Sequence, residues 1–304
     1  VAAIGHIAMF YRSAADYVDG VASFVRDGLV AGLPVLVAVP PAALQRLRPA
    51  LAAEAGSLTF TDMSELGRNP ARIIPAFRQF TDRHPGGSIF VCEPIWAGRT
   101  AAEVAEATRH EDLVNTAFAG LPVTILCPYD AGHLDRGILQ DAEATHPVIL
   151  TGQASRPSPC YRRGELAAEI AARRPPPPPE YAAVLDFDSG RLQTVRKLTR
   201  AECSAAGLTG IRVVDAVIAV NEAASNTITH AGSHGRLSIW CEGGELVCDV
   251  TDSGHIADPL AGRWPASPGA LGGHGLRLIS EVCDLVEVRS GAWGTSVRMH
   301  LALS

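Results

Sequence analysis

Lysine is almost missing from these 304 residues: Lys197 stands alone among 26 basic side chains, and the rest are arginine. A Gly-Lys-Ser/Thr phosphate loop therefore cannot exist before Lys197, and lysine Schiff-base chemistry is excluded from the same region. Paired cysteines are missing as well. The seven thiols, Cys92, Cys127, Cys160, Cys203, Cys241, Cys248 and Cys283, form no C-x-x-C spacing and are odd in number. That pattern points to reduced cysteines, most of them small buried hydrophobes. No Gly-x-Ser-x-Gly elbow is present. Positive charge is in deficit, with a net charge of −6, which weighs against direct binding of nucleic acid. Long apolar runs are lacking too. The longest uncharged stretch, residues 29–44, is broken by Pro34, Pro40 and Pro41 and is too short to span a bilayer. No basic, apolar leader opens the sequence. The expectation is a cytoplasmic protein without membrane contact.

What is present is enough apolar material, 47% of the chain, for two domains of roughly 100–200 residues each. Five consecutive prolines, Pro175 to Pro179, follow Arg173-Arg174. Such a run cannot continue a helix and reads as a stiff spacer. With a short amphipathic helix over 164–173 it sets the expected boundaries: a first domain over 1–155, a helical and Pro-rich linker over 156–180, a second domain over 181–304. In the first domain, apolar runs at 35–39, 58–61, 89–92 and 123–126 alternate with helical patterns at 16–29, 42–54, 70–83 and 100–118. The last opens on Thr100-Ala-Ala-Glu103, the pattern of a capping box. This alternation predicts a parallel sheet covered by helices, with any ligand beyond the strand C-termini.

After the prolines the order changes. A strand at 184–187 precedes helices at 192–206 and 212–230. Strands at 236–240 and 246–252, a Gly/Pro-rich stretch at 258–273, a helix at 275–283 and strands at 285–289 and 295–301 complete a two-layer α/β sandwich. Four small signals lie in order along it. Glu222 and Asn226, four residues apart, share one helical face, and a carboxylate beside an amide can hold Mg²⁺ and its waters. Asp252-Ser253-Gly254 ends an apolar strand, where the carboxylate can accept a hydrogen bond from an adenine amino group and Gly254 admits a close approach. Gly272-Gly273-His274-Gly275 enters a helix, exposing N–H groups to an anion. Gly294-Thr295 opens the last strand. Taken singly, each fits a solvated helix face, an ordinary turn or a plain loop.

In this order and spacing, an N-E-x-x-x-N helix, a D-x-G strand end, a Gly-rich lid and a G-T strand resemble the boxes of the GHKL ATPases, whose fold is the Bergerat sandwich. The run Gly275-Leu-Arg-Leu-Ile279 through Cys283-Asp-Leu-Val286 is similar to the anti-sigma-factor serine kinase branch. The resemblance implies ATP and Mg²⁺ as cofactors, Asn226 as the Mg²⁺ ligand and Asp252 as the adenine anchor. It also implies Gly254, Gly273 and Gly275 as shapers of pocket and lid, Thr295 as support for the base-binding aspartate, and Glu222 as the catalytic base. His255 and His274 depart from the usual lid residues. A histidine-kinase reading lacks its phosphoacceptor, because the linker helix has no histidine and His110-Glu111 lies inside the first domain.

The first domain carries His6 and Tyr11, then Cys92-Glu93-Pro94-Ile95-Trp96, His110-Glu111 and Cys127-Pro128-Tyr129-Asp130. These signals resemble the MEDS domain, a methanogen/methylotroph, DcmR-type sensory domain with a RecA/KaiC-like sheet that has lost its phosphate loop. The resemblance implies sensing of a small molecule, and His6, Tyr11, Glu93, Trp96, His110, Tyr129 and Asp130 are the candidate contacts. As metal ligands, His6, Glu93 and His110 show no signature spacing. The combined expectation is a signalling regulator acting on a sigma factor or an anti-sigma-factor antagonist, with a homodimer compatible with the pairing of related kinases. A ligand-responsive scaffold with a decayed nucleotide site, and a free-standing or histidine-kinase-like ATPase, stand beside it.

Overall fold

The structure, a computed structural model, describes residues 5–232, 234–264 and 274–303. The chain divides into two compact units, Val1–Ala167 and Ala168–Ser304.

The first unit contains β1 (Gly5–Tyr11), α1 (Ala14–Val30), β2 (Val35–Val39), α2 (Pro41–Ala50), β3 (Leu58–Asp62), α3 (Met63–Leu66) and α4 (Ile73–Arg83). It continues through β4 (Ser88–Cys92), α5 (Ala101–Ala117), β5 (Val123–Asp130), α6 (Arg136–Thr145), β6 (Val148–Thr151) and β7 (Ala154–Pro157). Its sheet runs β3-β2-β4-β5-β1-β6-β7. The first six strands are parallel, as the alternation predicts, and β7 pairs antiparallel with β6 at the edge. Both faces are buried, as parallel sheets require. On β4, Ile89 and Val91 join the core formed with Tyr17, Val21 and Val25 of α1 and Leu47 of α2. Phe90 points the other way, stacked on Phe77 of α4 at 4.3 Å. β5 extends past the expected end at residue 126 and contains Pro128. Beyond Leu126 the strand has left β4 and pairs with β1 alone, the kind of position a proline tolerates.

The Thr100–Glu103 capping box forms, with Thr100 Oγ1 accepting from Glu103 N–H and the Glu103 carboxylate accepting from Thr100 N–H. The helix it starts buries an unusual set of polar side chains, including Glu106, His110, Glu111, Asp112 and Asn115. Polar groups at such depth need partners. Asp112 finds them in the N–H groups of Gly164 and Ala167, both 2.8 Å away, at the start of α7 (Glu165–Ala172).

The second unit contains β8 (Ala183–Asp188), α8 (Leu192–Ala205), α9 (Ile211–His230), β9 (His234–Glu242), β10 (Glu245–Asp252), α10 (His274–Val282), β11 (Leu285–Gly291) and β12 (Gly294–Ala302). The sheet is antiparallel throughout, in the order β11-β12-β10-β9-β8. Val217 and Val220 of α9 turn inward, with Val213 packed beside them, against Leu237, Cys248, Val250 and Met299. The alternate strand residues form a polar second face, with Asp249, Ser296 and Arg298 buried on it. The proline run lies along this face: Arg298 donates to the Pro176 carbonyl at 2.7 Å, and the Trp293 indole donates to the Ala172 carbonyl at 3.1 Å. These prolines thus pack on the second unit's own sheet instead of standing free as a spacer. Among the described residues no helix is long and apolar enough to cross a membrane.

Candidate functional site

In the second unit the scattered sequence signals converge. Asn226, Asp252, Gly254, Gly275 and Thr295 line one cavity of about 420 Å³, together with His230, His255 and Leu276. Glu222 joins them from one turn earlier on α9. A side chain placed on Gly275 would stand 3.0 Å from the Asn226 amide and 3.2 Å from the Glu222 carboxylate. The α10 N-terminus therefore abuts both residues, and glycine is what leaves room between them. Gly273 lies outside the described residues, as does most of the Gly/Pro-rich stretch before it.

Asp252 ends β10 with both carboxylate oxygens engaged. Oδ2 accepts from Thr227 Oγ1 at 2.7 Å, and Oδ1 accepts from Gly254 N–H at 2.8 Å. Each oxygen retains a further lone pair. A Cβ at Gly254 would come within 2.7 Å of the Ala231 methyl, so the D-x-G glycine is required by packing. Thr295, directly across the ladder from Asp252, does not reach its carboxylate. Its hydroxyl donates to the Gly254 carbonyl at 2.9 Å and meets Ser290 Oγ at 3.1 Å. Ser290 in turn accepts from Ile256 N–H and contacts His255 Nδ1. The hydroxyl orienting the aspartate is thus that of Thr227, and Thr295 braces the loop after it. Thr227 directly follows Asn226, and its place on the inward stripe of α9 is the signal that marks it.

The first unit gathers its polar residues in two places. At the strand C-termini, Tyr11, Glu93 and Asp130 approach one another. The Tyr17 hydroxyl donates to Glu93 at 2.8 Å, and the Tyr11 and Tyr17 rings meet edge to face at 4.9 Å. Burial pushes the Glu93 carboxyl up to about 8, against the lowering effects of the Tyr17 hydrogen bond and the Arg46 charge; Asp130 pushes the same way as burial. Burial likewise raises the Tyr11 hydroxyl above its ordinary range. Trp96 stands apart in the loop after β4, its ring under the Arg99 guanidinium at 4.4 Å, while Arg99 ties down the Gly67 carbonyl. Beside this group, a cavity of about 410 Å³ is lined by Phe10, Arg12, Asp16, Arg136 and Gln140. None of the seven residues singled out from sequence lines it.

The neutral Glu93 carries a test. A carboxyl whose folded value is raised binds its proton more tightly in the native state, so its contribution is present below about 4.5 and is lost as pH rises through about 8. Glu93→Gln should flatten this slope, removing about 5 kcal/mol of pH dependence from the first unit across that window. Scanning calorimetry of both proteins at several pH values measures it, and parallel slopes would show that Glu93 ionises normally.

The second place is deeper. His6, Glu111, Cys127 and His146, all buried, bring a ligand atom each within 4.8 Å of one another. His6 meets Glu111 here and not Glu93 or His110. Its ring is driven down to about 4 by burial and by His146, despite hydrogen bonds to Glu111 and Asn115. His110, the neighbour of Glu111 on α5, is buried outside this group. Tyr129 is buried beside it, its hydroxyl raised by burial and by the Glu111 charge.

The family comparisons match this division. Residues 5–147 match the model of the MEthanogen/methylotroph, DcmR Sensory (MEDS) domain, and residues 185–301 match that of the histidine kinase-like ATPase domain. No curated protein matches the chain. A parallel sheet sealed by helices on both faces and an antiparallel sandwich with its cavity at the α9–β10–α10 end are consistent with those two assignments. The chain is a MEDS sensory domain fused to an ATPase domain of the GHKL type.

Proposed function

We propose that the chain is a cytoplasmic signalling regulator in which the MEDS domain controls an ATP-binding domain of the anti-sigma-factor serine kinase type, acting on a sigma factor or an anti-sigma-factor antagonist. The observation that carries the nucleotide reading is the single cavity shared by Asn226, Asp252, Gly254, Gly275 and Thr295. The donors fit the group. Asp252, oriented by Thr227 and Gly254, has lone pairs left for an adenine amino group. Asn226 offers a hard oxygen to Mg²⁺. Gly275 brings the α10 N-terminus against Asn226, and a helix N-terminus favours phosphate charge. In this reading Glu222 takes the proton of a partner's serine hydroxyl as the ATP γ-phosphoryl group is transferred.

Calorimetric titration of the full chain with Mg-ATP tests the pocket. Micromolar binding is expected, with Asp252→Ala weaker by about 30- to 100-fold, the value of hydrogen bonds to a charged acceptor. Glu222→Gln should keep the binding and lose phosphate transfer to the partner. Absence of binding by the folded wild type would instead favour a ligand-responsive scaffold with a decayed nucleotide site, a reading motivated by His255 on the cavity wall.

A further inference from the structure

The buried group in the first unit draws on four separate elements: His6 from β1, Glu111 from α5, Cys127 from β5, and His146 from the turn after α6. Each is at most 1% exposed. Glu111 Oε2 lies 3.0 Å from His6 Nε2, 3.4 Å from His146 Nε2 and 3.4 Å from Cys127 Sγ, and Cys127 Sγ lies 3.5 Å from His6 Nε2. A tetrahedral ion about 2.0–2.1 Å from nitrogen and oxygen and about 2.3 Å from sulfur holds its ligand atoms about 3.3–3.6 Å apart. Four of the six edges lie at or close to those lengths, and the other two lie within 4.8 Å.

The hydrogen bonds behind the rings settle which nitrogens face inward. Asn115 Nδ2 donates to the Thr145 carbonyl at 2.8 Å and to those of Asp112 and Glu111. Its Oδ1 is thereby turned to His6 Nδ1, 3.1 Å away, and as an acceptor it requires the proton on that nitrogen. His146 Nδ1 lies 2.9 Å from the Ala142 carbonyl, which only accepts. Both rings are thus anchored through Nδ1 and present Nε2 to the same Glu111 oxygen. His146 Nε2 and Glu111 Oε1 make no hydrogen bond. One carboxylate oxygen at this depth thus faces two imidazole nitrogens and a sulfur, a donor set that a single cation between them would share. Rings anchored through Nδ1 to carbonyl oxygens are the outer-shell arrangement that metal-ligating histidines use.

We propose that His6, Glu111, Cys127 and His146 form a mononuclear site for a borderline-soft divalent transition ion, zinc first. Thiolate and imidazole select zinc, cobalt or iron over magnesium and calcium. All four positions come from the protein, which makes the site closed and structural, without a place for an activated water. On binding, Cys127 forms its bond to the metal as the thiolate and releases its proton to solvent. The ion ties β1 to α5, β5 and the segment leading into β6, so the order of the sensory domain depends on metal supply.

The test uses the full chain, exchanged against zinc and freed of loose metal. About one zinc per chain is expected, falling to background in Cys127→Ala and His146→Ala, with Cys92→Ala retaining it. The cobalt-loaded wild type should show tetrahedral d–d absorption and a thiolate charge-transfer band, the band vanishing in Cys127→Ser. If the core variants do not fold, mass spectrometry of the wild type after partial denaturation and alkylation decides, because zinc should protect Cys127. A folded wild type that retains no ion, or one whose zinc leaves Cys127 unprotected and whose cobalt form lacks the sulfur band, overturns the proposal.

Discussion

Gly294→Ala is expected to destabilise the ATPase domain by about 3 kcal/mol or more, and to abolish nucleotide binding in the fraction that still folds. Gly294 holds φ at +115°, and a Cβ there would lie 2.1 Å from the Asp252 carbonyl oxygen. That oxygen belongs to the backbone and cannot rotate aside. Relief requires β10 to move at its last residue, the one whose carboxylate is oriented by Thr227 and Gly254. The hairpin closing β11 onto β12 and the floor of the pocket are therefore one construction. Gly244 supplies the control: it also has positive φ, +83°, but nothing lies within 4 Å of its Cβ position. Gly244→Ala should cost about 1 kcal/mol from conformation alone. Urea unfolding followed by tryptophan fluorescence reads both, since Trp240, Trp264 and Trp293 belong to this unit. Equal midpoints for the two variants would show that the approach to Asp252 is not tight.

The same residues explain why the grouping of Asn226, Asp252, Gly254, Gly275 and Thr295 around one cavity was readable and that of His6, Glu111, Cys127 and His146 was not. Glu222 and Asn226 announce themselves by helical spacing, and Asp252, Gly254 and Gly294 by turn chemistry, so local patterns already place each at the end of an element. Convergence then needs only the sandwich. The sensory domain offers no such help. His6 lies in a strand that the alternation of apolar runs does not reveal, because β1 opens the described chain and carries a buried histidine on its second residue. His110 and Glu111 are adjacent, and about 100° of helical rotation separates them. Only packing against β1 and β5 selects Glu111. His146 follows a helix without any motif, and α6, β6 and β7 lack a strong periodic pattern. The prolines were legible as a break in structure, but their docking is decided by a distant buried arginine in need of an acceptor.

That arginine supports the second large effect: Arg298→Ala is expected to cost about 3–5 kcal/mol, as when one partner of a buried ion pair is removed. Its guanidinium donates to Asp249 at 2.8 Å, lies 5.1 Å over the Trp240 ring and holds the Pro176 carbonyl. Asp249 is 1% exposed, and Ser296 would be its one remaining donor among the hydrogen bonds described. Charge deficit, not lost volume, is the dominant penalty, so Arg298→Ala with Asp249→Leu should recover stability relative to Arg298→Ala alone. Both variants give up the bond to Pro176, so both should release the proline run from the sheet. Trypsin cleavage between Arg173 and Arg174 reads that release, since the following Arg174–Pro175 bond resists the enzyme. Faster cleavage in both variants with stability restored only in the second separates the strap from the ion pair. Unchanged cleavage would mean that Trp293 and its bond to the Ala172 carbonyl hold the segment without Arg298.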